Sequence, residues 1–129
     1  MKNLKWLLLL SLSSSVVHAA DTVPTTGADL LNQCRAYTQF SPMPWGYKML
    51  DTNPSIGVCL AYMGKLIEQN TAEQGHAGLS YCLPRDITPG QLATIFVNYA
   101  DNYPQSLTQE TTHTLNDLLG RAFPCKTKP

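Results

Sequence analysis

The chain has 129 residues, of which 43% are hydrophobic and 14% are charged, with nine basic and nine acidic side chains. A chain of this length can bury one modest core, so we expect a single small domain. Without the leading lysines, Lys2 and Lys5, the rest of the chain is slightly acidic, which argues against a nucleic-acid partner.

The N-terminus has the three parts of a secretion signal. Two lysines supply positive charge, an apolar run from Trp6 to Leu12 follows, and Val17-His18-Ala19 forms the small-residue pattern of a cleavage site. We therefore predict a signal peptide over residues 1–19 and a mature domain over residues 20–129. The apolar run is about half as long as a bilayer-spanning helix, so we expect no membrane insertion.

A first short helix is predicted after a loose polar start at residues 21–26. Thr26 is a candidate cap, and four side chains then recur with helical spacing, namely Leu30, Leu31, Cys34 and Tyr37. Residues 39–54 contain three prolines and a glycine among apolar side chains, which indicates a loop over the core. We interpret Trp45 in this loop as a plug for the core, with an exposed partner anchor as the alternative.

The most apolar helix of the mature chain is predicted over residues 56–67, and we interpret it as the central helix. One face carries five apolar side chains, which are Ile56, Cys59, Leu60, Met63 and Ile67. Gly57, Ala61 and Gly64 form a stripe of small residues, which favours close approach of another backbone. We interpret that stripe as a helix-packing groove.

Residues 69–80 are polar, contain glycine and lack regular periodicity, which indicates a long loop. Loops on a rigid scaffold often carry recognition, so this loop supplies three candidate partner contacts, Glu73, Gln74 and His76. The turn at Asp101, Asn102 and Tyr103 is a second candidate. The alternative for each position is a solvated linker.

Two further helices form a hairpin that is bracketed by cysteines. The first begins at Thr88-Pro89-Gly90-Gln91, which can form a capping box with proline at the first helical position, and it ends before Pro104. The second is predicted from Thr108 and ends before Pro124. Because alternating patterns typical of strands are missing, we predict an all-α bundle of about four to five helices.

An even number of cysteines in a small exported chain predicts two disulfides. The four cysteines are Cys34, Cys59, Cys82 and Cys125. The sequence leaves all three pairings open. We favour Cys59 with Cys82 and Cys34 with Cys125, because each end of the hairpin would then be tied to an upstream helix.

No motif indicates catalysis, a metal or a cofactor. Cys-x-x-Cys is missing, and the two mature-chain histidines, His76 and His113, lack the spacing of zinc ligands. A cysteine hydrolase would need one of them as a base, but cysteines in an oxidising compartment are better explained by disulfides. Gly78-Leu79-Ser80 is not a serine nucleophile elbow. We therefore predict a binding protein that is not an enzyme.

Several short motifs follow one another across nearly the whole mature chain. They are Cys34, Cys59-x-x-Tyr62-x-Gly64, Tyr81-Cys82-Leu83-Pro84, Gln91-Leu92 to Tyr99, Pro104 and Ala122-Phe123-Pro124-Cys125. Their order and spacing, with the export signal, resemble the Tai and Rap type of periplasmic immunity proteins. Those proteins protect type VI secreting bacteria from peptidoglycan amidase toxins.

This resemblance implies a small all-helical, disulfide-linked periplasmic protein, often a homodimer. Such a protein blocks a cognate amidase effector by covering or plugging its active-site cleft, where a cysteine and a histidine cleave the peptide stems of the cell wall. The matched motifs are structural and identify no toxin-contacting residue. The alternative function is a periplasmic acid-stress chaperone that exposes apolar surface when its acidic residues titrate.

Overall fold

A computed structural model of the chain describes residues 23–40, 53–74 and 78–126. That part contains four α-helices: α1 Gly27–Phe40, α2 Pro54–Glu73, α3 Pro89–Asn102 and α4 Thr111–Ala122. A 3-10 helix, Pro104–Thr108, connects α3 to α4. Strand pairing in the described ranges amounts to one isolated bridge between Thr26 and Glu110. The predicted all-α fold with two disulfides is confirmed.

Two predicted segments lie outside the described residues. They are the signal peptide at residues 1–19 and the part of the proline-rich segment that includes Trp45. Within the described ranges, none of the helices combines the length and the apolar character that crossing a membrane requires.

Side-chain caps explain where α1 and α3 begin. At α3, the Thr88 hydroxyl accepts from the Gln91 backbone N–H (3.2 Å) and the Gln91 side chain accepts from the Thr88 N–H (3.0 Å), which is the predicted capping box. Thr26 and Asp29 make the same reciprocal pair of bonds at α1. Hydrogen bonds from the Thr25 side chain and from Thr26 lower the pKa of the Asp29 carboxyl. The residues next to each helix start therefore specify where α1 and α3 begin.

The helices α1 and α3 form the centre of the bundle. Each packs against the other and against both remaining helices, whereas α2 and α4 share few contacts. The prediction that α2 is central was wrong. The reason is that α3 buries five residues, Leu92, Ala93, Phe96, Val97 and Ala100. Of the apolar side chains of α2, by contrast, Ile56, Cys59 and Met63 are buried, whereas Val58, Leu60, Tyr62, Leu66 and Ile67 are half-buried.

The small-residue stripe of α2 faces mostly away from the described helices. A Cβ on Gly57 would meet nothing within 4 Å, and one on Gly64 would lie 3.7 Å from Pro89 at the start of α3. Ala61 is exposed. The stripe is therefore not a helix-packing groove within the described part of the chain.

The favoured disulfide pairing was wrong. Cys34 pairs with Cys59, which joins α1 to α2, and Cys82 pairs with Cys125, which joins the segment before α3 to the segment after α4. The two ends of the α3–α4 hairpin meet, since the Cys82 N–H donates to the Phe123 carbonyl over 2.9 Å. The Cα atoms of the two cysteines at those ends lie 4.9 Å apart, a separation that a disulfide spans.

Three predicted boundaries also differ from the structure. Helix α2 continues to Glu73, into the segment predicted as a loop. Helix α4 begins at Thr111 rather than Thr108, because Pro104–Thr108 forms the 3-10 helix. The polar start is not loose from Pro24 onward: Pro24 is buried, and its carbonyl accepts from the Thr111 hydroxyl over 2.8 Å.

Candidate functional site

The three candidates in the predicted loop have different surroundings. Glu73 is exposed at the last residue of α2. Gln74 is half-buried, and its amide donates to the Leu83 carbonyl over 2.6 Å and to the Asn70 side chain over 3.3 Å. His76 lies outside the described residues. Of the two described residues, Glu73 has the side chain available to a partner.

Asn70 explains how the end of α2 holds the chain that follows it. It is 5% exposed, and its amide donates to the Tyr81 carbonyl (2.8 Å) and accepts from the Leu83 N–H (2.8 Å). Both sides of Cys82 are thereby hydrogen-bonded to α2. Sequence reasoning missed this residue because it lay in a segment interpreted as a solvated loop.

A polar cleft lies beside this junction. Its volume is about 280 Å³, and its polar lining residues include Gln69, Glu73, Ser80, Tyr81 and Asn116. Burial raises the pKa of the Tyr81 hydroxyl, and the nearby Tyr62 and Glu73 raise it further. The hydroxyl therefore stays protonated and can act as a hydrogen-bond donor.

The second candidate group, at the end of α3, is engaged with neighbouring helices. Arg35 on α1 donates to the Asp101 carboxylate over 2.6 Å, and this bond lowers the pKa of Asp101. The Asn102 amide donates to the Asn98 carbonyl of its own helix over 2.9 Å. None of these residues lines the polar cleft, so the structure does not place the two candidate groups in one cleft.

Tyr103 belongs to an aromatic and charged cluster at the same place. Its ring stacks on Tyr99 with 6.2 Å between centroids, and the Arg121 guanidinium lies 4.2 Å from its centroid. Arg121 also donates to the Asp117 carboxylate over 3.1 Å. A hydrogen bond from Ser106 and, next, the bond from Arg121 lower the pKa of Asp117. Tyr103 is half-buried here, which limits the surface that it offers to a partner.

A larger cleft was not predicted from the sequence, and we call it the apolar cleft. Its volume is about 630 Å³. Five of its lining residues, after which it is named, are apolar or aromatic (Tyr37, Pro84, Ile87, Ile95 and Phe123), and the other five are Asp86, Thr88, Gly90, Gln91 and Thr94. The ten residues come from α1, from the segment before α3, from α3 and from the end of α4. Eight of the ten lining residues lie between Pro84 and Ile95. The sequence gives no signal for the cleft, because its other two sides, Tyr37 and Phe123, are brought there only by the packing of the helices.

Chemical groups that support catalysis are scarce in the described residues. All four cysteines are in disulfides, so none offers a thiolate nucleophile. His113 is exposed on α4. Within the described ranges, no group of three or more histidine, cysteine, aspartate or glutamate side chains could hold a metal ion.

The fold and its clefts define a class of protein, namely a small helical scaffold cross-linked by two disulfides that offers concave surfaces for binding. Comparison with protein families identifies the particular family. Residues 26–125 match the model of the Rap1a immunity proteins, so the chain belongs to that family. Neither the search of curated proteins nor that of solved structures found a match.

Family membership confirms the resemblance to Tai and Rap type immunity proteins. It gives the chain an immunity function, in which the protein binds a toxin. It also indicates a non-enzymatic inhibitory role. The match spans all four described helices and both disulfides, so the entire folded domain belongs to the family.

Proposed function

We propose that the protein is exported to the periplasm, where it binds a peptidoglycan amidase delivered by type VI secretion and inhibits it by occluding its active-site cleft. The observation that carries this proposal is the family match over residues 26–125. The secretion signal predicted at residues 1–19 supports the location, because the substrate of such an amidase is the cell wall.

The scaffold supports inhibition by occlusion. An inhibitor that covers a cleft must hold its binding surface in shape, since every group that becomes ordered on binding costs conformational entropy. Here α1 is linked to α2 by Cys34–Cys59, and the two ends of the α3–α4 hairpin are linked by Cys82–Cys125. These two cross-links restrict the relative movement of the segments that they join before a toxin binds.

Protection and inhibition test this proposal directly. A candidate peptidoglycan amidase from the same genome is exported to the periplasm of a test bacterium with and without the full chain, and lysis is followed. We expect the full chain to prevent lysis and a chain lacking residues 2–19 to fail. The purified mature domain should inhibit peptidoglycan hydrolysis at a one-to-one ratio. Unchanged hydrolysis at saturating mature domain contradicts the proposal.

We further propose that the inhibitor acts as a homodimer. Light scattering coupled to gel filtration measures the mass of the mature domain alone and with the amidase. A monomeric mass at micromolar concentration contradicts the dimer and leaves the inhibitor proposal intact.

The chaperone alternative predicts a different response to acid. Exposure of dye-binding apolar surface near pH 2 to 3, together with suppression of aggregation of unrelated proteins, would support it. An inhibitor needs neither property, and it should bind one amidase tightly at neutral pH.

A further inference from the structure

The apolar cleft contains a half-buried aliphatic side chain that lies outside the hydrophobic core. Tyr37, Ile87 and Phe123 are half-buried and pack against the hydrophobic core, so they stabilise the domain. Ile95 is also half-buried, but it is not among the residues that pack against the core. An aliphatic side chain in this position would lose its remaining contact with water if a partner covered it.

The cleft is also fixed in shape. The Ile87 N–H donates to the Pro84 carbonyl over 3.3 Å, and the Thr88 capping box fixes the first turn of α3. A Cβ on Gly90 would lie 2.9 Å from Cζ of Tyr37, so the glycine allows the tyrosine ring to lie on that turn. A partner would meet a surface that is already formed, which reduces the entropy lost on binding.

One charge borders this apolar surface. Asp86 is exposed, and among the described residues that line the cleft it alone has a carboxylate or basic side chain. Within the described part of the chain, it has no hydrogen-bond or ion-pair partner, whereas Asp101 is paired with Arg35. An unpaired carboxylate beside apolar side chains complements a partner segment with a basic residue next to an apolar one.

We propose that the toxin docks on the apolar cleft by inserting a loop whose apolar side chain contacts Ile95 and whose lysine or arginine pairs with Asp86. This inference rests on the proposed function and adds the contact surface and the chemistry of the partner. The polar cleft is the weaker candidate, since its Asn70 side chain is already hydrogen-bonded within the domain. Binding energy in protein interfaces is concentrated in a few well-packed residues that lose their contact with water.

Two matched pairs of variants test the docking surface in the full mature domain. Ile95→Asp changes the cleft, and Asn98→Asp places the same charge at an exposed position one turn along α3. Asp86→Lys reverses the cleft charge, and Glu68→Lys reverses an exposed charge on α2. Binding to the amidase that the unaltered domain inhibits is measured by calorimetry, and thermal unfolding of each variant is recorded.

We expect Ile95→Asp and Asp86→Lys each to weaken binding by about 30-fold or more, while both controls stay within about twofold and all four variants remain folded at the temperature of the binding measurement. Asp86→Asn should also reduce the salt dependence of the affinity, because screening weakens ion pairs at the edge of an interface. A reduced salt dependence would show that Asp86 contributes to binding through its charge rather than through packing.

The outcomes distinguish this inference from the proposed function. If the unaltered domain fails to bind the amidase, the proposed function is wrong, and so is the proposal that a toxin loop occupies the cleft. If the unaltered domain binds but the two cleft variants bind equally well, the docking surface alone is wrong. If Ile95→Asp instead converts a dimer to a monomer without affecting amidase affinity, the cleft binds a second copy, which also overturns the inference.

Discussion

The two disulfides lie in different surroundings. Cys34–Cys59 connects two helices, and both of its cysteines have 0% exposure. Cys82–Cys125 connects two non-helical segments, and both of its cysteines are half-buried. The first cross-link belongs to the core, whereas the second holds segments that border the apolar cleft. The core and the candidate binding surface are thus stabilised by separate covalent bonds.

Loop-closure entropy predicts similar stabilisation by the two disulfides. Their sequence separations are 25 and 43 residues. In the chain-entropy account, closing loops of these lengths stabilises the folded state by about 3.5 and about 4 kcal/mol. Any greater importance of Cys34–Cys59 must therefore come from packing.

The largest expected effect follows removal of the core disulfide. Replacing Cys34 and Cys59 by alanine should lower the free energy of unfolding by about 5 kcal/mol, because buried contacts of the sulfur atoms are lost in addition to the loop constraint. The corresponding change at Cys82 and Cys125 should cost about 4 kcal/mol. Urea unfolding without reductant measures both, and a larger loss at Cys82–Cys125 would contradict the comparison.

The second expected effect concerns reduction of the folded protein. A small thiol can reach Cys82–Cys125 through local opening, but Cys34–Cys59 requires near-global unfolding. We expect Cys82–Cys125 to be reduced about 1,000-fold faster, which corresponds to about 4 kcal/mol of difference in opening free energy. Alkylation followed by mass spectrometry identifies the cysteines released at each time, and equal rates would show that both bonds open together.

The third effect concerns the Asn70 hydrogen bonds, which hold the backbone on both sides of Cys82. It tests whether these bonds stabilise the same segment as the Cys82–Cys125 disulfide. Asn70→Ala should destabilise the fold by about 3 kcal/mol, because it leaves the buried backbone groups of Tyr81 and Leu83 without partners. Replacement of the exposed neighbour Gln69 by alanine should change stability by less than about 0.5 kcal/mol. A double-mutant cycle with the Cys82–Cys125 removal measures the coupling, which should be clearly different from zero.

A smaller effect is expected at the start of α1, the helix that carries Cys34. A Cβ on Gly27 would lie 2.8 Å from Cβ of the buried Thr114 and closer still to its hydroxyl. Gly27→Ala should therefore cost about 2 kcal/mol. Gly57→Ala is the control on α2, where the site is open, and it should stabilise the helix by about 0.5–1 kcal/mol. Thermal unfolding of both variants checks the sign of each change.

The smallest expected effect is a pH dependence near the C-terminal end of the hairpin. The pKa of Asp117 is lowered in the folded protein, so its stabilising effect is present above its ordinary pKa of 3.8 and is lost as the pH falls through the folded value. Because Asp117 is partly exposed, we expect less than about 1 kcal/mol. Asp117→Asn and Ser106→Ala should both flatten the stability curve below about pH 4, and an unchanged curve would contradict this assignment.

Local signals in the sequence predicted much of the fold. The Thr88 capping box, the proline after α3 and the spacing of apolar residues in α1 and α4 act within one or two turns, so they can be recognised without tertiary contacts. The sequence also predicted the presence of two disulfides. It could not predict their pairing, because pairing depends on which segments meet in space.

The candidate site was less predictable than the fold. Glu73 was identified as an accessible residue, but Gln74 bonds to the Leu83 carbonyl inside the junction. The polar composition of residues 69–80 indicated a loop, although α2 continues to Glu73 and Asn70 is buried there. The same polar residue types occur where side chains bond to backbone groups and where they face water. Sequence alone therefore does not distinguish a buried polar residue from an exposed one.

The sequence by itself determined the helical class, the starts of α1 and α3, the cross-linked character of the domain and its resemblance to immunity proteins. These properties depend on neighbouring residues or on motifs in a fixed order. Only the tertiary structure decided that α1 and α3 are central, that Cys34 pairs with Cys59, and that Tyr37, Asp86, Ile95 and Phe123 line one cleft. The physical reason is that side-chain burial and proximity depend on how all the helices pack together.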